Sequence, residues 1–122
     1  MSPLLDEKLD LSFLLGTGSL AEVCFGRYTV ILRFDKISIA IQGACEVTTA
    51  EGRLHVCDPE LNPGELTMFT TLFESEIKSY RITPRPELIL IFSNGCQLSL
   101  IDHQDGYESF VIYLEDGSVL AV

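Results

Sequence analysis

A chain of 122 residues with 47% apolar and 21% charged side chains has the length of one domain and enough apolar material to bury a core unaided, which excludes a disordered or low-complexity chain. Eighteen acidic against eight basic residues give a formal net charge of −10, which opposes nucleic acid as a partner because phosphate contacts need clustered Lys and Arg. The opening Met1-Ser2-Pro3-Leu4-Leu5-Asp6-Glu7 has no basic leader segment, and the longest apolar run, Leu88 to Phe92, is far short of the roughly 18 residues of a membrane span; the expected setting is the cytoplasm, with no membrane contact.

Gly16-Thr17-Gly18 is too short for a phosphate loop and lacks its lysine, so it reads as a turn. Beyond it, period-2 alternation marks strands with one buried face. In Ile37-Ser38-Ile39-Ala40-Ile41-Gln42 the isoleucines share a face, in Arg53-Leu54-His55-Val56-Cys57 Leu54 and Val56 point together, and in Cys96-Gln97-Leu98-Ser99-Leu100 the apolar side chains alternate. Each is expected to be half-buried. Leu88-Ile89-Leu90-Ile91-Phe92, apolar throughout and rich in β-formers, is expected to be a central strand covered on both faces. Asp35-Lys36, Glu51-Gly52, Ser93-Asn94-Gly95 and Asp116-Gly117 separate the runs, and such turns make neighbouring strands antiparallel. One segment breaks the rhythm. Asn62-Pro63-Gly64-Glu65 supplies a cap, a proline at the first helical position and an acid two residues later, and Leu66, Phe69 and Phe73 follow at helical spacing. This predicts one short helix over about 63–74, its apolar stripe laid on the sheet.

The halves resemble each other. Ala21 to Phe25, Thr29 to Phe34 and Ile37 to Ile41 parallel Ile77 to Ile82, Glu87 to Phe92 and Leu98 to Leu100, and Ala44 to Thr48 parallels Tyr107 to Val111. The expected fold is therefore mainly β (α+β), a single domain over 1–122 with an internal repeat at about 20–49 and 76–114. Two antiparallel meanders related by a pseudo-twofold axis would form a sandwich or partly open barrel, with the helix between them. Cys24, Cys45, Cys57 and Cys96 sit in apolar or alternating segments and read as reduced, buried small hydrophobes, with a disulfide or reactive thiol as the alternative.

With these segments in order, Gly16, the strands around Val23 and Leu32, Asp58-Pro59-Glu60, the helix, and the run holding Phe92, Gly95, Leu98, Asp102, Tyr107, Glu108 and Ser109 resemble an uncharacterised bacterial family of small proteins, a domain of unknown function numbered 6188. The resemblance covers roughly Leu14 to Leu114, and Phe110 stands where the family has Trp. It implies a fold and a bacterial, cytosolic setting, and no activity.

The strongest gathering of chemical groups is Asp102-His103-Gln104-Asp105-Gly106-Tyr107-Glu108, an imidazole with three carboxylates in a segment that reads as a loop, where functional residues concentrate. No HExxH, CxxC or paired-histidine spacing accompanies it, nor a Gly-Xaa-Ser-Xaa-Gly elbow, so neither a metal nor another cofactor is expected and a catalytic set is not assigned. His55 and Cys57 share a strand face, but two groups are too few for a site. Alternation aims Glu108 inward with Phe110, Ile112 and Leu114, where a carboxylate needs a partner such as Arg27, Arg33 or Arg81, or else reads a ligand at a cleft. Asp102, His103, Tyr107 and Glu108 are therefore the binding candidates. Arg85 is the last basic residue, and Glu87, Asp102, Asp105, Glu108, Glu115 and Asp116 follow unopposed, a field able to steer a basic partner. The leading expectation is a non-enzymatic protein-interaction domain, of which an immunity-type protein that plugs a basic toxin is one version. The rival is a small-ligand-binding or hydrolytic β-barrel with Glu108 and His103 at its mouth, and a homodimer through an edge strand is a third reading.

Overall fold

Alternating side chains and tight turns build two five-stranded antiparallel sheets. A computed structural model of the protein describes residues 9–59, 63–103 and 109–122. Its strands are β1 (Leu20–Phe25), β2 (Val30–Phe34), β3 (Ile37–Ile41), β4 (Cys45–Thr48), β5 (Leu54–Cys57), β6 (Ile77–Thr83), β7 (Glu87–Phe92), β8 (Gln97–Ile101), β9 (Phe110–Leu114) and β10 (Val119–Ala121). One sheet has the order β1-β2-β3-β9-β10 and the other β5-β4-β8-β7-β6. Neither closes into a barrel. Their inner faces share one apolar cluster, including Leu20, Leu32, Ile39 and Ile112 from the first sheet and Val47, Leu88, Leu90 and Leu98 from the second, the arrangement of a sandwich.

The strand order shows how the two halves meet. In each sheet a three-stranded meander from one half, β1-β2-β3 or β6-β7-β8, is completed by a hairpin from the other, β9-β10 or β4-β5. Local details repeat as well. The β1–β2 register shifts between Leu20 and Glu22, and the β6–β7 register shifts between Ile77 and Ser79. Leu20 opposes Phe34, and Ile77 opposes Phe92. The two phenylalanines then stack on each other between the sheets, with ring centroids 6.2 Å apart and planes inclined by 23°. A 3₁₀ turn, Ser12–Leu14, precedes β1 and a longer 3₁₀ helix, Pro63–Leu72, precedes β6; each is followed by a residue with positive φ, Gly16 and Glu74. Ser19 bridges Glu76, and Leu20 donates its N–H to the Ser75 carbonyl at 2.9 Å, joining the starts of β1 and β6.

The expected helix is present but wound more tightly, and it ends at Leu72. With three residues per turn, side chains at every third position line up, so Leu66, Phe69 and Leu72 form the inner edge, with Phe69 and Leu72 fully buried, while Phe73 is 39% exposed. Threonine hydroxyls reinforce the tight winding by bonding three residues back: Thr70 Oγ1 donates to the Thr67 carbonyl at 2.6 Å and Thr71 Oγ1 to Met68 at 2.7 Å. Asn62, the expected cap, lies outside the described residues. The helix packs on β5 and β1.

The face of β5 also differs from expectation. Leu54 and Val56 point to solvent, 58% and 48% exposed, while Cys57 is fully buried and His55 half-buried. Alternation fixes which residues share a face but not which face is inward; the register with β4, where Cys57 opposes Cys45 and His55 opposes Val47, decides it.

Candidate functional site

Of the residues singled out in the sequence, Asp102 and His103 are described, whereas Tyr107 and Glu108 lie outside the described residues. Asp102 is buried and donates its backbone N–H to the Pro86 carbonyl at 3.1 Å. The His103 Nε2 lies 3.0 Å from the Ala44 carbonyl, and since a carbonyl only accepts, that nitrogen carries the proton. A side chain on Gly43 would sit 2.8 Å from the ring, so a glycine there lets the imidazole lie against the backbone. Ser109 closes the arrangement: its Oγ accepts the His103 N–H at 2.9 Å and its carbonyl accepts from Gln42 and Gly43 at 3.0 and 3.2 Å. His103 is thus a latch between the β3–β4 and β8–β9 connections, with its Nε2 committed. Among the arginines proposed to meet Glu108, Arg33 pairs with Glu22 at 3.0 Å and Arg27 lies 5.1 Å above the Tyr28 ring. Among the described residues, no three His, Cys, Asp or Glu side chains gather as a metal ion would need.

A cavity of about 550 Å³ opens at the other end of the first sheet, lined by Phe13, Leu15, Lys36, Ile37, Leu114, Glu115 and Asp116 among others. It lies beside the β2–β3 and β9–β10 turns, whereas His103 sits where β3 ends and β9 begins. The Ser118 hydroxyl and N–H both bond the Asp116 carboxylate, at 2.5 and 2.8 Å, and hold it below the usual carboxylate range, so this turn stays charged.

The register also defines the outer faces. In the first sheet Val23, Leu32, Ile39, Ile112 and Leu120 form one row across the strands and belong to or pack on the core. The next row, Cys24, Ile31, Ala40, Val111 and Ala121, therefore faces away. It contains no polar side chain other than the thiol, and its central members, Ala40 and Val111, are already covered, 5% and 2% exposed. Tyr113 and Val119, opposed on β9 and β10, continue this surface at 46% and 53% exposure.

The matching row of the second sheet is Arg81, Ile89, Ser99, Glu46 and Val56, and it holds a polar cluster that sequence reasoning missed. Glu87, 8% exposed, accepts from the Ser99 hydroxyl, from Thr83 Oγ1 at 3.0 Å and from Arg85 at 3.4 Å; Arg85 also grips Glu46 at 3.0 and 3.4 Å. The local signal was the run Thr83-Pro84-Arg85-Pro86-Glu87 opening an apolar strand; Ser99 and Glu46 are brought to it from β8 and β4. Glu87→Ala is expected to lower stability by about 2–3 kcal/mol in urea denaturation, because it strands buried donors. Arg85→Ala, whose side chain is 51% exposed, is expected to cost about 1 kcal/mol or less.

No helix among the described residues is long and apolar enough to cross a membrane. No curated protein and no solved structure matches the chain. A family profile described as "Family of unknown function (DUF6188)" matches residues 15–122, which takes in all ten strands and the longer 3₁₀ helix, and the chain belongs to that family.

Proposed function

We propose that the protein is a non-enzymatic interaction domain whose partner is a basic protein docked on the outer face of the first sheet and along edge strand β10. The observation that carries this reading is the exposed apolar pair Tyr113 and Val119 on the β9–β10 hairpin, beside the half-buried Ile31 and Ala121 of the outer row, whose central Ala40 and Val111 are already covered. An outward sheet face normally alternates to polar, as the second sheet does with Arg81, Ser99 and Glu46. Among the described residues strand β10 has a neighbour on one side only, so its backbone can accept another strand. The acids Glu115 and Asp116 stand at the adjoining turn, and the chain carries −10 overall. Two such copies repel, which favours a cationic heterologous partner over self-pairing; a basic toxin held by an immunity-type protein fits that chemistry.

The test is capture of partners from native lysate at low and high salt with the wild type, with Glu115→Lys/Asp116→Lys and with Tyr113→Ala/Val119→Ser. The wild type is expected to retain a basic protein, the charge reversal to slow its association by about tenfold at low salt, and the apolar pair to weaken binding at every salt concentration. Recovery of no basic partner, or capture indifferent to both variants, overturns the reading, and light scattering that shows a stable homodimer through this face replaces it. A second reading, a small-ligand site, rests on the 550 Å³ cavity beside Lys36, a volume within the usual range for small-molecule pockets. Such a site would lie at the opposite end of the sheet from His103.

A further inference from the structure

Cys45 and Cys57 stand directly opposite each other on β4 and β5, both buried in the core and both free thiols. Thr49 donates its N–H to the opposed Arg53 carbonyl at 2.8 Å. Counting back by twos makes Cys45 and Cys57 a hydrogen-bonded pair as well, whose Cα atoms in an antiparallel ladder are about 5.5 Å apart. Disulfides span Cα separations of about 4.4–6.8 Å, so the backbone spacing of this pair is one that a disulfide can bridge. The side chains of such a pair start wider apart than a relaxed disulfide requires, and a bridge closed there is correspondingly easy to reduce.

The surroundings supply an entry route. Strand β5 is an edge strand four residues long, held by β4 on one side and by the 3₁₀ helix over it. The helix is fastened to it through His55 Nδ1 and Glu65 Oε2, 2.9 Å apart, and through the Cys57 thiol, which donates to the Glu65 carbonyl at 3.4 Å. The hydrogen bond between the two thiols makes Cys57 the easier to deprotonate and, together with burial, pushes Cys45 well up. Cys24, by contrast, faces Ile31 across its ladder.

We propose that Cys45 and Cys57 are a reversible redox pair that a low-molecular-weight disulfide oxidises when β5 and the 3₁₀ helix part, stapling the edge strand to β4. The Cys57 thiolate attacks one sulfur of the small disulfide, whose S–S bond breaks and releases one thiolate that takes up a proton. The Cys45 sulfur, its proton lost to water, then attacks the Cys57 side of the mixed disulfide and expels the second small thiolate, which is protonated in turn. The two protein thiols are oxidised by two electrons, and one small disulfide is reduced to two thiols.

The test equilibrates the full chain in glutathione buffers of graded oxidised-to-reduced ratio, quenches with acid, alkylates the unfolded chain with iodoacetamide in denaturant and maps the peptides by mass spectrometry. Expected is one intramolecular Cys45–Cys57 crosslink, with two of the four free cysteines no longer alkylated, reversing as the ratio reverses. Four alkylated cysteines in every buffer, a glutathione adduct on Cys57 that never closes, or a crosslink through Cys24 or Cys96 overturns the proposal. Glu65→Gln, at a side chain 41% exposed, weakens the fastening without opening the core and is expected to speed closure about fivefold, the equivalent of one lost hydrogen bond. An unchanged rate overturns the entry route. None of these outcomes depends on the partner-binding face of the other sheet.

Discussion

Phe92→Ala is expected to destabilise the protein by about 3–5 kcal/mol and to lower its melting temperature by about 10–20 °C. The ring is 1% exposed and stacks on Phe34, so truncation removes apolar contacts to both sheets and leaves a cavity the two backbones cannot collapse into. A protein of this size has about 5–15 kcal/mol of stability to lose, so the variant should be unfolded in part near body temperature. Phe34→Ala should act similarly, and the double variant should fall short of the sum by about 0.5–1.5 kcal/mol, because each ring is the other's neighbour. Denaturant unfolding of the four proteins reads the coupling directly; strict additivity would mean that the two rings do not act as one contact.

The second large effect is at Gly18. Its φ is +89°, and an added Cβ would lie 2.2 Å from Asp35 Oδ2 and 2.6 Å from both Cβ and Cγ of Asp35. Rotating Asp35 relieves the oxygen but not the Cβ. Gly18→Ala is therefore expected to cost about 3 kcal/mol, combining backbone strain with overpacking, whereas Gly52→Ala and Gly117→Ala, at φ of +92° and +91° with nothing within 4 Å, should cost about 1–2 kcal/mol from strain alone. Introducing Asp35→Gly together with Gly18→Ala should recover the steric part of the loss in thermal unfolding. If the paired variant is no better than Gly18→Ala alone, the contact with Asp35 is not what makes glycine necessary.

How far the sequence could be read follows from which interactions are local. The isoleucines of β3 alternate and all three are buried; Leu88 to Phe92 is covered on both faces; the turns at Gly52, Gly95 and Gly117 have the positive φ that their residues permit. These follow from neighbours along the chain. The facing of β5 did not, since Leu54 and Val56 or His55 and Cys57 satisfy the same alternation and only a partner strand chooses between them. The helix was legible in place but not in pitch: Leu66, Phe69 and Phe73 suit 3.6 residues per turn, Leu66, Phe69 and Leu72 suit three, and the signal favouring the latter was the threonines at 67, 70 and 71.

For the candidate site the separation is greater still. The apolar outer row becomes visible only once β3 is known to pair with β9, and the Arg85, Glu46, Glu87 and Ser99 cluster only once β4 is known to pair with β8. Asp102 and His103 drew notice as a dense run of polar groups, and the described partners of His103 are backbone carbonyl and serine hydroxyl, the partners of a fastening.

The exchange of hairpins between the halves has a consequence for how the chain is made. When residues through β5 have emerged from the ribosome, β3 lacks its neighbour β9 and β4 lacks β8, so both carry open backbone edges and an uncovered apolar face. The second sheet cannot be finished until β8 arrives, nor the first until β9 and β10 do. Pairing across such sequence distances makes folding slow, and during synthesis the first half must stay soluble without its complement. Through β5 the chain holds seven acids against five basic residues, so most of the net −10 arrives only with the strands that close the sheets, and charge gives the unfinished first half little protection against pairing with its copies.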